Sequence, residues 1–196
     1  AIDLGAHTGH HTVSMREAVG QKGTVISVEP TPTRCSVLEK TVQKNDYDNV
    51  IIVSAAISNN QEVIGLNKKG SPHLTERQTD NTALRVITTT MNDLLQLLDA
   101  NTVNLTKIDV EGGETNILKD ISPKVFKTLI VEIHIEQIAE TKGSQGLEEV
   151  SENIKQSDSV NTIPDRSPIP DITEYVKNAH RKRVVKRQTI LCQRSP

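Results

Sequence analysis

Ala1-Ile2-Asp3-Leu4-Gly5-Ala6-His7-Thr8-Gly9 is the stretch whose reading decides the fold. Ile2 to Leu4 reads as a short strand, and His7 to Val19 reads as a helix that Gly20 and Gly23 end. Between them lies a glycine turn, which lets the backbone bend tightly and a ligand approach it closely. The spacing excludes two common phosphate loops. A dinucleotide fingerprint needs G-x-G-x-x-G, and the middle glycine is missing; a P-loop ends in Gly-Lys-Ser/Thr, whereas Gly9 is followed by His10 and His11. What stands here is Asp-x-Gly-x-x-x-Gly. An acid at the strand end repels a pyrophosphate and attracts a cationic amine.

Outward from this turn, β-branched runs alternate with helical patterns. Thr24 to Val28 reads as a second strand, Thr33 to Asn45 as a helix, and Val50 to Ala55 as a third strand. That third run is continuously apolar, as suits a parallel sheet covered on both faces. Glu62 to Leu66 and Arg85 to Thr90 read as extended, with a polar loop over Gly70 to Ala83 between them. Met91 to Leu98 is expected as a helix, Leu105 to Asp109 as the fourth parallel strand, Glu114 to Asp120 as a helix after a Gly-Gly turn, and Lys127 to Ile133 as the fifth strand. A helix over Gly146 to Gln156, a proline-bearing loop and a weakly alternating last strand over Arg183 to Cys192 complete the chain. This order predicts an α/β, Rossmann-like, doubly wound and mostly parallel sheet of six or seven strands. No internal boundary is visible, so residues 1–196 are expected to form one domain.

Composition narrows the function. Only three of 196 residues are aromatic (Tyr47, Phe126 and Tyr175), so a stacking platform for single-stranded nucleic acid is disfavoured. A formal charge of −2 argues against a surface built for nucleic acid. Cys35 and Cys192 are too few for a disulfide framework or a four-cysteine zinc site. No apolar run approaches the ~18 residues of a membrane span. A reducing cytoplasm is therefore the expected setting. The sequence opens inside an expected strand and without Met, which points to a missing upstream segment.

Glu29 ends the second strand, and Pro30 stops it. A carboxylate at this place can accept both hydroxyls of a ribose, and its separation from Gly5 is near the ~20 residues of that rule. A ribose, a cationic amine and no phosphate together describe S-adenosylmethionine. Four segments then resemble the successive motifs of the FkbM family of S-adenosylmethionine-dependent methyltransferases. They are Asp3 to Gly9, Val28-Glu29-Pro30, Lys107-Ile108-Asp109-Val110-Glu111-Gly112 and Val131-Glu132-Ile133-His134. The Lys-Ile-Asp-Val-Glu-Gly block is the most specific, and the resemblance extends to about residue 135.

The resemblance implies a cofactor site made of Asp3, Gly5, Ala6, His7, Gly9, Glu29, Ala55, Ala56 and Asp109. Gly5 and Gly9 would lie under the methionine and ribose, Asp3 would organise the loop, Glu29 would take the ribose hydroxyls, and Ala55 and Ala56 would lie near the adenine. Asp109 and Glu111 would face the transferred methyl and the acceptor. It also implies an antiparallel last strand. His7 departs from the family's frequent Asn, and His10-His11 from its frequent aromatics.

Methyl transfer to an alcohol calls for a base, because an unactivated hydroxyl holds its proton tightly. Asp109, Glu111 and His134 are the candidate catalytic residues, all at the carboxyl edge where such sheets bind ligands. The structural alternative has Asp109 capping the next helix and Glu111 solvated. No metal is expected. Asp109, Glu132 and His134 are suitable ligand types that could converge, but the Asp-Asn pair of metal-dependent catechol-type enzymes is absent after strand five. His7 and His11 could share a helix face, yet no Glu follows the first histidine as in a zinc-protease helix. Neither cysteine follows a Pro, and the Asn/Asp-Pro-Pro-aromatic motif of amino-group methyltransferases is missing.

The expected activity is O-methylation of a hydroxyl on a sugar or small secondary metabolite, with that hydroxyl compound as the partner. Oligomeric state stays open. From Tyr175 onward there are seven Lys and Arg and no acid. They read as a solvated hairpin with a charge-protected edge strand, or, in an alternative, as an RNA contact surface. A second alternative is a binding module that kept the fold but lost its covering N-terminal segment.

Overall fold

Ile2–Leu4 forms β1, every residue of it buried, because a parallel strand lies on each side. The computed structural model describes residues 1–66, 74–75, 84–119, 125–163, 167–182 and 188–193. After β1 come α1 (His10–Val19), β2 (Val25–Val28), α2 (Pro32–Lys44), β3 (Val50–Val53), β4 (Ala56–Ile57), β5 (Val63–Leu66), β6 (Leu74–Thr75) and β7 (Leu84–Thr89). Then follow α3 (Met91–Leu97), β8 (Val103–Ile108), α4 (Glu114–Lys119), β9 (Phe126–Ile133), α5 (Ile135–Ile154), β10 (Ser159–Thr162), α6 (Ile172–Lys182) and β11 (Gln188–Gln193).

Seven strands make one sheet in the order β10-β11-β9-β8-β1-β2-β3. β3, β2, β1, β8 and β9 run parallel, and β11 and β10 pair antiparallel. This is the expected Rossmann-like, mostly parallel sheet with an antiparallel last strand. The strand order reverses at β1, which pairs with β2 on one side and β8 on the other, and the crevice for a ligand opens at such a switch point. One apolar cluster joins Ile2, Leu4, Ile26, Ile108 and Val131 of the sheet to Leu94 of α3, Ile117 of α4, Ile138 and Val150 of α5 and Val176 of α6.

Several local expectations are corrected. The first helix starts at His10, not His7, because Gly9 (φ 92°) and His7 (φ 53°) both take left-handed backbone and hold residues 5–9 as a turn. His7 and His11 therefore share no helix face. β3 is an edge strand with Ile51 37% exposed, not a strand covered on both faces, because the chain turns away after it into a second sheet. That sheet, in the order β4-β7-β5-β6, was not expected. β6 lies within the expected polar loop, and most of that loop falls outside the described residues.

The helix expected from Gly146 begins at Ile135 and continues to Ile154, with a break at Gly143 (φ 66°, ψ −157°). α6 and β10 replace what reads as a proline-bearing loop. Asp171 starts α6 by accepting the backbone N–H groups of Thr173 and Glu174, an N-cap arrangement. β11 is flanked by β10 and β9, so it is not an exposed edge, and Arg183 to Arg187 lie outside the described residues. Among the described residues, no helix is long and apolar enough to cross a membrane.

Candidate active site

At the switch point the turns after β1 and β8 press on each other. The N–H groups of Gly5 and Ala6 both donate to Val28 O at 3.0 Å, which folds the β1 turn back over β2. A Cβ on Gly5 (φ 79°) would stand 1.8 Å from the carbonyl oxygen of Asp109, so only glycine fits. Gly9 is confined on the other side, where a Cβ would meet Leu38 Cδ1 at 2.5 Å.

Glu29 lies 2% exposed at the end of β2. Its Oε2 accepts the N–H of His7 at 2.9 Å and its Oε1 the N–H of Thr31 at 2.8 Å, with Arg34 at 3.9 Å. It therefore holds the strained His7 in place as well as facing the cleft, a second duty that strand-end position alone does not reveal. Asp3 is fully buried. Its Oδ2 accepts the Thr12 hydroxyl at 2.8 Å, and its Oδ1 lies 3.8 Å from Lys107 Nζ. That fits an organising role for Asp3.

A cleft of about 640 Å3, part of it open to solvent, is lined by Gly5, His7, Glu29, Arg34, Ala55, Ala56, Ile57, Leu66, Asp109 and Glu111 among others. It gathers most of the residues expected to hold the cofactor. Asp3, Ala6, Gly9 and His134 stand behind its lining. Arg34, Ile57 and Leu66 are additions. Leu66 belongs to the unexpected second sheet, whose contribution no local motif announced.

The acids gather on the far side. Lys107, 6% exposed, reaches Asp109 Oδ2 at 3.0 Å as well as Asp3. His134, 1% exposed, donates from Nδ1 to Glu114 Oε1 at 2.6 Å. Its Nε2 points toward Glu111 Oε2 at 3.4 Å and Asp109 Oδ1 at 3.7 Å. Burial opposes a charge on His134, but the hydrogen bond to Glu114 and the charges of Glu114, Glu111 and Asp109 outweigh it and raise its pKa. Burial, reinforced by the Lys107 charge, lowers that of His11. Donor atoms of Asp109, Glu132 and His134 lie within 4.8 Å of one another. Lys107 and Glu114 contact Asp109 and His134, and motif reading gave neither a role; a Lys inside a buried strand and a Glu opening a short buried helix were the available signals.

Neither cysteine is an activated nucleophile. Burial raises the pKa of Cys35, whose Sγ–H donates to the Glu29 carbonyl, and pushes Cys192 up to about 12.

The family model for the methyltransferase FkbM domain matches residues 3–165. The chain belongs to that family. The crystal structure of the methyltransferase FkbM from Methylobacillus flagellatus KT superposes with a TM-score of 0.57 at 13% identity, over 97% of this chain and 42% of that one. Aeropyrum pernix fibrillarin, crystallised with natively bound S-adenosyl-L-methionine, gives 0.50 at 12% identity, over 97% of this chain and 64% of that one. The chain thus spans less than two thirds of either. At these identities the likeness is one of fold. None of the curated proteins compared matches in sequence.

Proposed function

We propose that this FkbM domain binds S-adenosylmethionine in the cleft between Glu29 and Asp109 and transfers its methyl group to a hydroxyl of a sugar or small secondary metabolite. The observation that carries the reading is the cleft itself. A glycine turn that admits no Cβ, a buried carboxylate at the end of β2 and an acid at the end of β8 open into one space. Glu29 would accept the ribose hydroxyls, since each carboxylate oxygen keeps acceptor capacity beyond its one backbone N–H. Gly5 and His7 would lie under the sugar and methionine, and Ala55, Ala56, Ile57 and Leu66 would wall the adenine. Asp3, Ala6 and Gly9 would act by shaping the turn.

When bound, the cofactor supplies an electrophilic methyl on a sulfonium sulfur. The chain's own work is orientation and proton handling. Lys107 fixes one oxygen of Asp109, leaving Oδ1 toward His134. Asp109 and Glu111 would orient the acceptor hydroxyl and take its proton, with the His134 ring behind them. A cytoplasmic setting, with both buried cysteines reduced, belongs to the same proposal.

Calorimetric titration with S-adenosylhomocysteine tests this, using NAD as the negative control. Glu29→Gln keeps the size of the side chain and one of its two acceptor oxygens, and thermal melting reports what the lost backbone contact costs the turn. Loss of a charge-assisted hydrogen bond of about 1–3 kcal/mol predicts binding weakened roughly 5- to 150-fold. No saturable binding by the folded wild type would overturn the reading.

A further inference from the structure

We propose that Asp109, Glu132 and His134 form a binding site for one first-row divalent cation at the carboxyl edge of β8 and β9, with Glu114 orienting the histidine. Three observations carry this. The first is convergence: one donor atom from each of the three lies within 4.8 Å of the others. Bonds of about 2.0–2.2 Å place neighbouring donors roughly 3–3.6 Å apart around an ion, so a closure of about 1–2 Å at the widest pair suffices. Glu132 is the penultimate residue of β9, and His134 follows the strand as the N-cap of α5.

The second observation is the histidine. Its side chain is 1% exposed, and Nε2 has no hydrogen-bond partner. That nitrogen faces Asp109 Oδ1 and Glu111 Oε2, while Nδ1 is locked to Glu114 at 2.6 Å. A carboxylate that takes the far N–H of an imidazole and aims the other nitrogen at a point between acids is the usual support of a metal-bound histidine. A buried, unpaired ring nitrogen is otherwise costly.

The third is the division of Asp109. Lys107 takes Oδ2 and leaves Oδ1 on the side of His134. Two carboxylates and one imidazole suit Mn2+ better than Mg2+, which favours all-oxygen sets. The three ligands leave coordination positions toward the cleft, where an acceptor hydroxyl would be drawn in and made more acidic. That catalytic consequence rests on the methyl-transfer reading; the site itself does not. It also revises the metal-free expectation drawn from the missing Asp-Asn pair, since Glu132 and His134 offer different ligands from the same strand end.

The test is titration of chelator-treated protein with MnCl2, followed by calorimetry and by the electron-spin signal of unbound Mn2+. One ion per chain is expected, with binding weakened at least 10-fold in Glu132→Gln and 10- to 100-fold in Glu114→Gln. Circular dichroism and thermal melting select variants that keep the fold. No saturable uptake by the folded wild type overturns the site. So does stoichiometric uptake that both Glu132→Gln and Asp109→Asn leave unchanged. S-adenosylhomocysteine titrated into the same metal-free protein separates the two readings: binding there without Mn2+ uptake overturns the cation site alone.

Discussion

Replacing Lys107 by Met tests whether one buried cation holds the site together. The ammonium stands 3.0 Å from Asp109 Oδ2 and 3.8 Å from Asp3 Oδ1. At an effective dielectric constant of about 20, those separations correspond to roughly 5 and 4 kcal/mol of attraction before desolvation is counted. Taking the three groups out of water cancels much of that, so the net worth of the assembly is small. Breaking it is another matter. Met keeps the volume of the side chain but leaves Asp3, fully buried, with an oxygen that has no hydrogen-bond partner. The cost of stranding such a charge is about 3–5 kcal/mol. For a chain of this size that is a fall in Tm of roughly 6–20 °C. Urea unfolding followed by circular dichroism measures it. The double variant Lys107→Met with Asp3→Asn should recover a good part of the loss, because the stranded charge is gone. A Lys107→Met protein within 1 kcal/mol of wild type, or a double variant whose losses simply add, would refute the reasoning.

Gly5→Ala should cost about 2–5 kcal/mol, the sum of left-handed backbone strain and overpacking against the Asp109 carbonyl at 1.8 Å, and should abolish S-adenosylhomocysteine binding. Wild-type melting and binding in that variant would show that the two turns do not touch as described. Cys192 predicts an alkaline effect. Its folded pKa is pushed up to about 12 from 9.0, so between those values the folded chain keeps a proton that the unfolded chain has lost. Stability is full below pH 9 and falls by up to ~1.4 kcal/mol per pH unit above it. Cys192→Ala should flatten that slope in urea titrations at pH 8 to 10.5, and an unchanged slope would place the effect elsewhere.

The parallel sheet was legible because its strands are short β-branched runs separated by helical periods, and the antiparallel β11 followed from the family resemblance. The site was legible where chemistry sits at strand ends: Glu29, Asp109 and His134 each close a strand or directly follow one. What escaped was tertiary. Leu66 belongs to β5, which pairs with β7 across a polar segment long enough that the local sequence sets no register. α6 carries Ile172, Val176 and Ala179 on one buried face behind an Asp171 cap, but three nearby prolines dominate the local reading. Glu114 looks like an ordinary acid in a first helical turn, and nothing local shows that its partner lies twenty residues on.

Two of the four described non-glycine residues with left-handed backbone tie the turn after β1 to the turn after β8. His7 (φ 53°) and Glu111 (φ 56°) both adopt left-handed backbone, a conformation that costs of order 1–3 kcal/mol and persists only where the surroundings enforce it. For His7 the enforcement is its N–H bond to Glu29. For Glu111 it is the neighbouring turn at Gly112, whose N–H donates to Glu114 at 3.3 Å. Between them stands the contact of Gly5 with the Asp109 carbonyl, together with the bond from the Asp109 N–H to Leu4 O at 3.1 Å. A shift of the β1 turn on binding a ligand therefore cannot leave the β8 turn in place. On the proposed function, the backbone that sets Asp109 toward an acceptor is the one that would receive the cofactor, so cofactor binding and acceptor orientation would be coupled through contact rather than through any distant relay.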